Sequence, residues 1–362
     1  MLYLHPMSDE KIKVGISQGD INGIGLEIIL KTFLEPSLVE ICTPVLFSSQ
    51  KTVGYYRRVM GLEELNFNAT RDLKQLNTKK PNVFVCYEEE VQIEMGASTA
   101  TGGKYAQISL LKACEAAKQG LIDVLVTAPI NKHNIQSEQF KFPGHSEFLA
   151  SFFGHEKGAM MLMCSDDLKV GLVTGHVPVQ NISSLITQER VQDKIVHFIK
   201  TLKSDFLISK PKIAVLGLNP HAGDNGTIGQ EDNEVLKPVI DKLKNDHLVY
   251  GPYPADGFFA TEAYKKFDGV LAMYHDQGLI PFKTLSFNNG VNFTTGLPIV
   301  RTSPDHGTAY DLAGKNLADA GSFRKAIYMA IDIYRNRKMH KESSANPLQA
   351  RAVSKNENQR DN

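Results

Sequence analysis

Short apolar runs rich in β-branched residues alternate with longer stretches of helical periodicity, and this alternation constrains the fold more than any other feature of the chain. The runs Lys13–Ser17, Pro44–Phe47, Val83–Val85, Val124–Val126, Met160–Met163, Val170–Val173, Ile213–Leu216 and Val270–Met273 predict strands. Between them, Gly25–Phe33, Tyr105–Lys118, Glu189–Leu202 and Glu234–Lys244 carry the helical pattern. Strands alternating with helices of this length build βαβ units around a largely parallel sheet. Lys212–Leu218 is apolar enough for a strand buried on both faces. The expectation is an α/β fold, and no internal repeat is visible.

The chain has 362 residues, more than the roughly 100–200 of a typical domain, so two lobes are expected. Lys plus Arg and Asp plus Glu each number 40, a balance that argues against a nucleic-acid or membrane-surface partner. It still permits a local basic pocket for a small anion. Cys42, Cys86, Cys114 and Cys164 are widely spaced, with no C-x-x-C pair. Buried reduced thiols in a reducing compartment are the expectation. Met1–Met7 is too short and too soon charged for a secretory apolar region, and no run approaches the roughly 18 apolar residues that cross a bilayer. A soluble, cytoplasmic protein is expected. Residues 339–362 are polar and read as a disordered tail.

Ligand sites in open α/β sheets lie beyond the carboxyl ends of the strands. His176, His221 and His275 each follow a predicted strand, in Val173-Thr-Gly-His-Val-Pro178, Gly217-Leu-Asn-Pro-His-Ala-Gly223 and Leu271-Ala-Met-Tyr-His-Asp-Gln-Gly278. One such histidine alone is more often a core or solvated residue. Three with the same placement suit a zinc-like divalent ion, with positions left for water or substrate. Asp256 and Asp276 are further ligands, orienting groups or general bases, and a turn cap is an equal reading for Asp256.

The glycines of Gly19-Asp-Ile-Asn-Gly-Ile-Gly25 open a helix and offer amide donors for a phosphate. Their spacing is not G-x-G-x-x-G, and a tight strand-to-helix turn explains them as well. Phe142–Phe148 looks like a helix start in which Gly144, His145 and Ser146 supply polar groups, or simply a capping turn. Lys283, Asn292 and Arg301 form a cation pair plus an amide suited to phosphate or carboxylate; solvated surface charge is the plainer reading.

The segments Gly217–Gly223, Pro252–Asp256, Tyr274–Gly278 and Arg301-Thr-Ser-Pro-Asp-His-Gly-Thr-Ala309 resemble the 4-hydroxythreonine-4-phosphate dehydrogenase family of pyridoxal 5′-phosphate synthesis. Gly15–Gly25, Val126–Lys132 and Gly144–Glu147 match in order, so the resemblance covers about residues 11–338. Position 146 is often threonine in that family, and Ile21 and Asn22 stand where proline and alanine are common; serine keeps the hydroxyl.

The resemblance implies two α/β lobes around a cleft, as in isocitrate and isopropylmalate dehydrogenases: residues 1–135 with 290–338, and residues 136–289. It implies a homodimer with the active site at the subunit interface and metal ligands drawn from both subunits. One divalent ion per subunit (zinc, magnesium or cobalt) would be held by His176, His221 and His275. Substrate contacts fall on His145, Ser146, Lys283, Asn292 and Arg301, and NAD or NADP on Asp305, His306, Gly307, Thr308 and Asp311 within Asp305–Lys315. Asp256, Asp276 and Lys132 are the candidates for the catalytic base. The implied reaction oxidises 4-phosphooxy-L-threonine at C3 and then loses carbon dioxide to give 3-amino-2-oxopropyl phosphate. Neighbouring alternatives are a dehydrogenase of 4-phosphothreonate or 4-phosphoerythronate, or, in another class, a metal-dependent phosphotransferase or a non-catalytic binding protein.

Overall fold

The computed structural model describes residues 11–155, 159–286 and 289–345. Among the described residues twelve strands form one sheet: β1 Ile12–Ser17, β2 Cys42–Ser48, β3 Asn68–Thr70, β4 Asn82–Val85, β5 Val124–Thr127, β6 Met160–Cys164, β7 Lys169–Leu172, β8 Lys212–Leu216, β9 Leu248–Tyr253, β10 Gly269–Ala272, β11 Val291–Thr295 and β12 Val300–Pro304. Their order is β3-β4-β2-β1-β5-β12-β11-β6-β7-β10-β8-β9. Eight pairings are parallel; β11 runs antiparallel to β12 and β6, and β6 antiparallel to β7. This mixed, mostly parallel α/β sheet agrees with the sequence expectation.

All eight expected strands are present, and the helix Gly25–Phe33 has the expected bounds. The sequence missed β3, β9, β11 and β12. In Val300-Arg-Thr-Ser-Pro304 every position is buried although the run is mostly polar, because its hydroxyls and guanidinium bond to neighbouring elements rather than to water. Tertiary context outweighs strand propensity there. β12 pairs with β5, which returns the late part of the chain to the strands of residues 12–127, and β11 joins it to β6. The sheet therefore runs unbroken across the expected lobe boundary.

The last described helix, Gly321–Ala345, packs Phe323, Ala326, Ile327, Ala330 and Ile331 into the main core. Burying an aliphatic or aromatic side chain contributes roughly 1.5–3 kcal/mol, enough to hold a long helix of otherwise polar sequence. Residues 339–345, expected to be disordered, are therefore helical. The remainder of the expected tail lies outside the described residues. Among the described residues no helix is long and apolar enough to cross a membrane.

Candidate active site

β7 and β10 are parallel neighbours, so the segments that follow them emerge at one edge of the sheet. One carries His176; the other begins the helix His275–Leu285. Their ring centroids stand 5.5 Å apart at 41°. Each imidazole has a carboxylate on Nδ1, Glu147 Oε1 at 3.2 Å from His176 and Asp276 Oδ1 at 2.7 Å from His275. A carboxylate there holds the proton on Nδ1 and leaves the Nε2 lone pair free, as in metal-binding histidines. His176 Nε2 also lies 3.3 Å from Lys132 Nζ.

The structure does not bring His221 to this pair within the chain. β8 lies one strand farther out than β10, and the loop after it turns left-handed through His221–Asn225, with φ between 41° and 79°. His221 is exposed and absent from the cavity wall. Accordingly, no group of three or more His, Cys, Asp or Glu among the described residues is placed to hold a metal.

The two histidines open onto a cavity of about 250 Å³. All five expected substrate residues line it: His145, Ser146, Lys283, Asn292 and Arg301. Arg301 is 2% exposed; its Nε and one terminal nitrogen donate to Thr127 Oγ1 at 3.2 and 2.6 Å, and the other donates to Thr294 Oγ1 at 2.8 Å. Ser146 Oγ sits 3.1 Å from Thr294 Oγ1. No carboxylate pairs with Arg301 among the described residues, and burial presses its pKa down to about 10. A buried guanidinium that meets only hydroxyls keeps its charge for an incoming anion.

Burial, and then the Arg301 and Lys132 charges, hold the His145 pKa well below its ordinary value, so the imidazole is neutral. His145 Nε2 and Asn292 Oδ1 are buried without a partner among the described residues. Lys283 Nζ pairs with Asp305 Oδ1 at 3.1 Å and reaches the Asp305 carbonyl at 3.2 Å. An expected substrate residue and an expected cofactor residue thus form one ion pair, and burial raises the Asp305 pKa against the pull of Lys283.

Known proteins resemble this chain in sequence and in fold. The model of the pyridoxal phosphate biosynthetic protein PdxA family matches residues 40–330. A 4-hydroxythreonine-4-phosphate dehydrogenase of Bacteroides thetaiotaomicron is 48% identical over 343 residues, 94% of this chain and 94% of that protein. The chain belongs to the PdxA family. A crystal structure of the 4-hydroxythreonine-4-phosphate dehydrogenase from Klebsiella pneumoniae superposes with a TM-score of 0.74 at 30% identity, over 90% of this chain and 100% of that one. A protein of Oceanobacillus iheyensis, whose assignment as a D-threonate 4-phosphate dehydrogenase is provisional, is 36% identical over 88% of this chain and 97% of its own length.

Other expected residues of this PdxA-family chain fall differently. Asp305, His306 and Gly307 line the cavity, whereas Thr308 and Asp311 do not. Lys132 lines it too. Asp256 does not; it is exposed in the first turn of the helix Ala255–Ala260, whose N-cap is Pro254 and which has no side-chain cap hydrogen bond. Asp276 is exposed and engaged with His275.

The Gly19–Gly25 turn spends four of its amides on the chain itself: Asp20 N on the Pro129 carbonyl, Asn22 N on Asp20 Oδ1, Gly23 N on the Asp20 carbonyl and Ile24 N on the Thr308 carbonyl, as a tight strand-to-helix turn would. The sequence also missed Glu147, Thr127 and Thr294 as site residues. Thr127 and Thr294 are polar residues at strand positions with no local signal, and only the fold turns their hydroxyls onto Arg301.

Proposed function

We propose that this chain is an NAD(P)-linked, metal-dependent dehydrogenase of 4-phosphooxy-L-threonine in pyridoxal 5′-phosphate synthesis. One observation carries the reading: a buried Arg301, without a carboxylate partner among the described residues, shares a single cavity with the His176–His275 pair. Anion capture and hydroxyl activation are thereby within reach of one small substrate. The names of the relatives at 48% and 30% identity support the same chemistry.

Arg301 and Lys283, with Ser146, Asn292 and neutral His145, would bind the phosphate end and so aim C3 of the substrate. His176 and His275 fit a divalent ion as two of its ligands, and we assign the third to His221 of a second copy in a homodimer. Such an ion supplies Lewis acidity, lowering the pKa of the C3 hydroxyl. Of the three candidate bases, Lys132 alone lines the cavity, and once deprotonated its amine would take the hydroxyl proton. The Asp305–Gly307 edge would hold NAD(P)+ beside the substrate, and the dinucleotide would supply the acceptor for the C3 hydride. The resulting 3-oxo acid breaks its C1–C2 bond, carbon dioxide leaves, and the electron pair passes to the C3 carbonyl as an enolate. Protonation at C2 gives 3-amino-2-oxopropyl phosphate.

The test is NAD(P)H formation from 4-phosphooxy-L-threonine after chelation and after adding back zinc, magnesium or cobalt. Metal-restored turnover is expected. Turnover only with 4-phosphothreonate or 4-phosphoerythronate would move the chain to the neighbouring activity, which the Oceanobacillus relative favours. Silence with both substrates in every metal would overturn the dehydrogenase reading.

A further inference from the structure

Asp20 lies outside the cavity wall, yet it ties the strand-to-helix turn to two segments that reach the cavity. It is 0% exposed, and its partners are neutral donors. Oδ2 accepts hydrogen bonds from Asn134 Nδ2 and from the Tyr310 hydroxyl, both at 2.7 Å, and Oδ1 accepts from Asn22 N at 2.8 Å. Asn134 Nδ2 also stands 3.3 Å from the Tyr310 oxygen. The strand-to-helix turn, the loop that bears Lys132 two residues before Asn134, and the Asp305–Lys315 segment thus meet on one carboxylate. No ion pair offsets that charge among the described residues. Burying a carboxylate is costly unless its hydrogen bonds are good, and a charged acceptor makes them shorter and stronger than a neutral one.

Independent contacts clamp the same segment. The Thr308 carbonyl accepts from Ile24 N at 3.0 Å, and a Cβ on Gly23 would come within 2.7 Å of that carbonyl oxygen. Only glycine permits so close an approach. Ala309 holds a left-handed φ of 41°, a conformation that persists in a non-glycine residue only where its surroundings over-determine it. Residues 305–307 line the cavity immediately before this clamp.

We propose that Asp20 is the positioning residue of the dinucleotide subsite. It fixes Tyr310 so that residues 305–307 stay at the cavity wall, and through Asn134 it registers that wall against the loop of Lys132. The proposal rests on the reading of Asp305–Lys315 as the dinucleotide segment. Its consequence is selective: losing the Asp20 charge weakens dinucleotide binding but spares the phosphorylated substrate, whose grip depends on Arg301.

The test titrates NADH, followed by its fluorescence, and separately 4-phosphooxy-L-threonine, followed by calorimetry, into full-length wild type, Asp20→Asn, Tyr310→Phe and the double variant. The NADH Kd should rise about tenfold in Asp20→Asn and about threefold in Tyr310→Phe, while the substrate Kd stays within about twofold. The double variant should be no worse than Asp20→Asn, because both changes break the same bond. Unchanged NADH affinity in Tyr310→Phe or in folded Asp20→Asn would overturn the proposal, as would equal losses for both ligands. Tyr310→Phe keeps the ring in place and decides the matter if Asp20→Asn does not fold. Wild-type protein without dinucleotide affinity would instead overturn the reading of Asp305–Lys315, and the proposal with it.

Discussion

Glu147 Oε1 lies 3.2 Å from His176 Nδ1, and this contact sets a glutamate of the helix His145–Phe152 behind an imidazole of the cavity wall. The hydrogen bond to His176 is the main cause that holds the Glu147 pKa below the ordinary carboxylate range. Replacing His176 or His275 with alanine is expected to abolish both bound metal and turnover. Glu147→Gln should weaken metal binding about 10–100-fold, the usual effect of losing a carboxylate behind a ligating histidine. Metal content after dialysis, measured beside activity, checks this; full metal occupancy in His275→Ala would sink the ligand assignment.

Arg301 sets function against stability. An unpaired buried guanidinium costs stability that only an anion returns. Arg301→Met is expected to melt no lower than wild type in ligand-free buffer, while losing about 100-fold or more in affinity for the phosphorylated substrate. Inorganic phosphate should raise the Tm of wild type and leave that of the variant unchanged. A variant that melts far below wild type without ligand would show Arg301 to be structural.

The thiols are expected to be inert in the folded protein. Burial pushes Cys42, Cys86 and Cys164 up to about 12 and Cys114 higher still, so almost no thiolate exists near neutral pH. A thiol reagent at about pH 8 should label none of them rapidly in native protein and all four in urea. Fast native labelling of Cys114 would contradict its burial.

His197 makes the fold acid-sensitive. Its Nε2 lies 2.6 Å from Thr295 Oγ1, and burial, followed by the Lys194 charge, lowers its pKa to about 4. The unfolded chain takes up that proton first, near its ordinary value of about 6.5. Stability is therefore expected to fall between about pH 6.5 and about pH 4, by at most about 3 kcal/mol, and this contribution to level off below. Urea unfolding of wild type and His197→Gln across that range measures it; parallel pH profiles would refute the assignment.

Much of this was legible in the chain itself. The short apolar β-branched runs determined the eight strands and the period-3.6 pattern the helix Gly25–Phe33, because hydrophobic burial acts through local sequence. The resemblance carried by the motifs around His145, Lys283, Asn292 and Arg301 named residues that line the cavity, where spacing alone left solvated surface charge as the plainer reading. Only the tertiary structure decided that β11 and β12 are strands, that Thr127 and Thr294 face Arg301, and that Asp20 ties together residues 134 and 310. It also separated His221 from His176 and His275, which spacing along the chain cannot do. Strand order is set by long-range packing: β10 lies beside β7 and β8 beyond it, so the distance between two strand-end loops depends on neighbours far away in sequence.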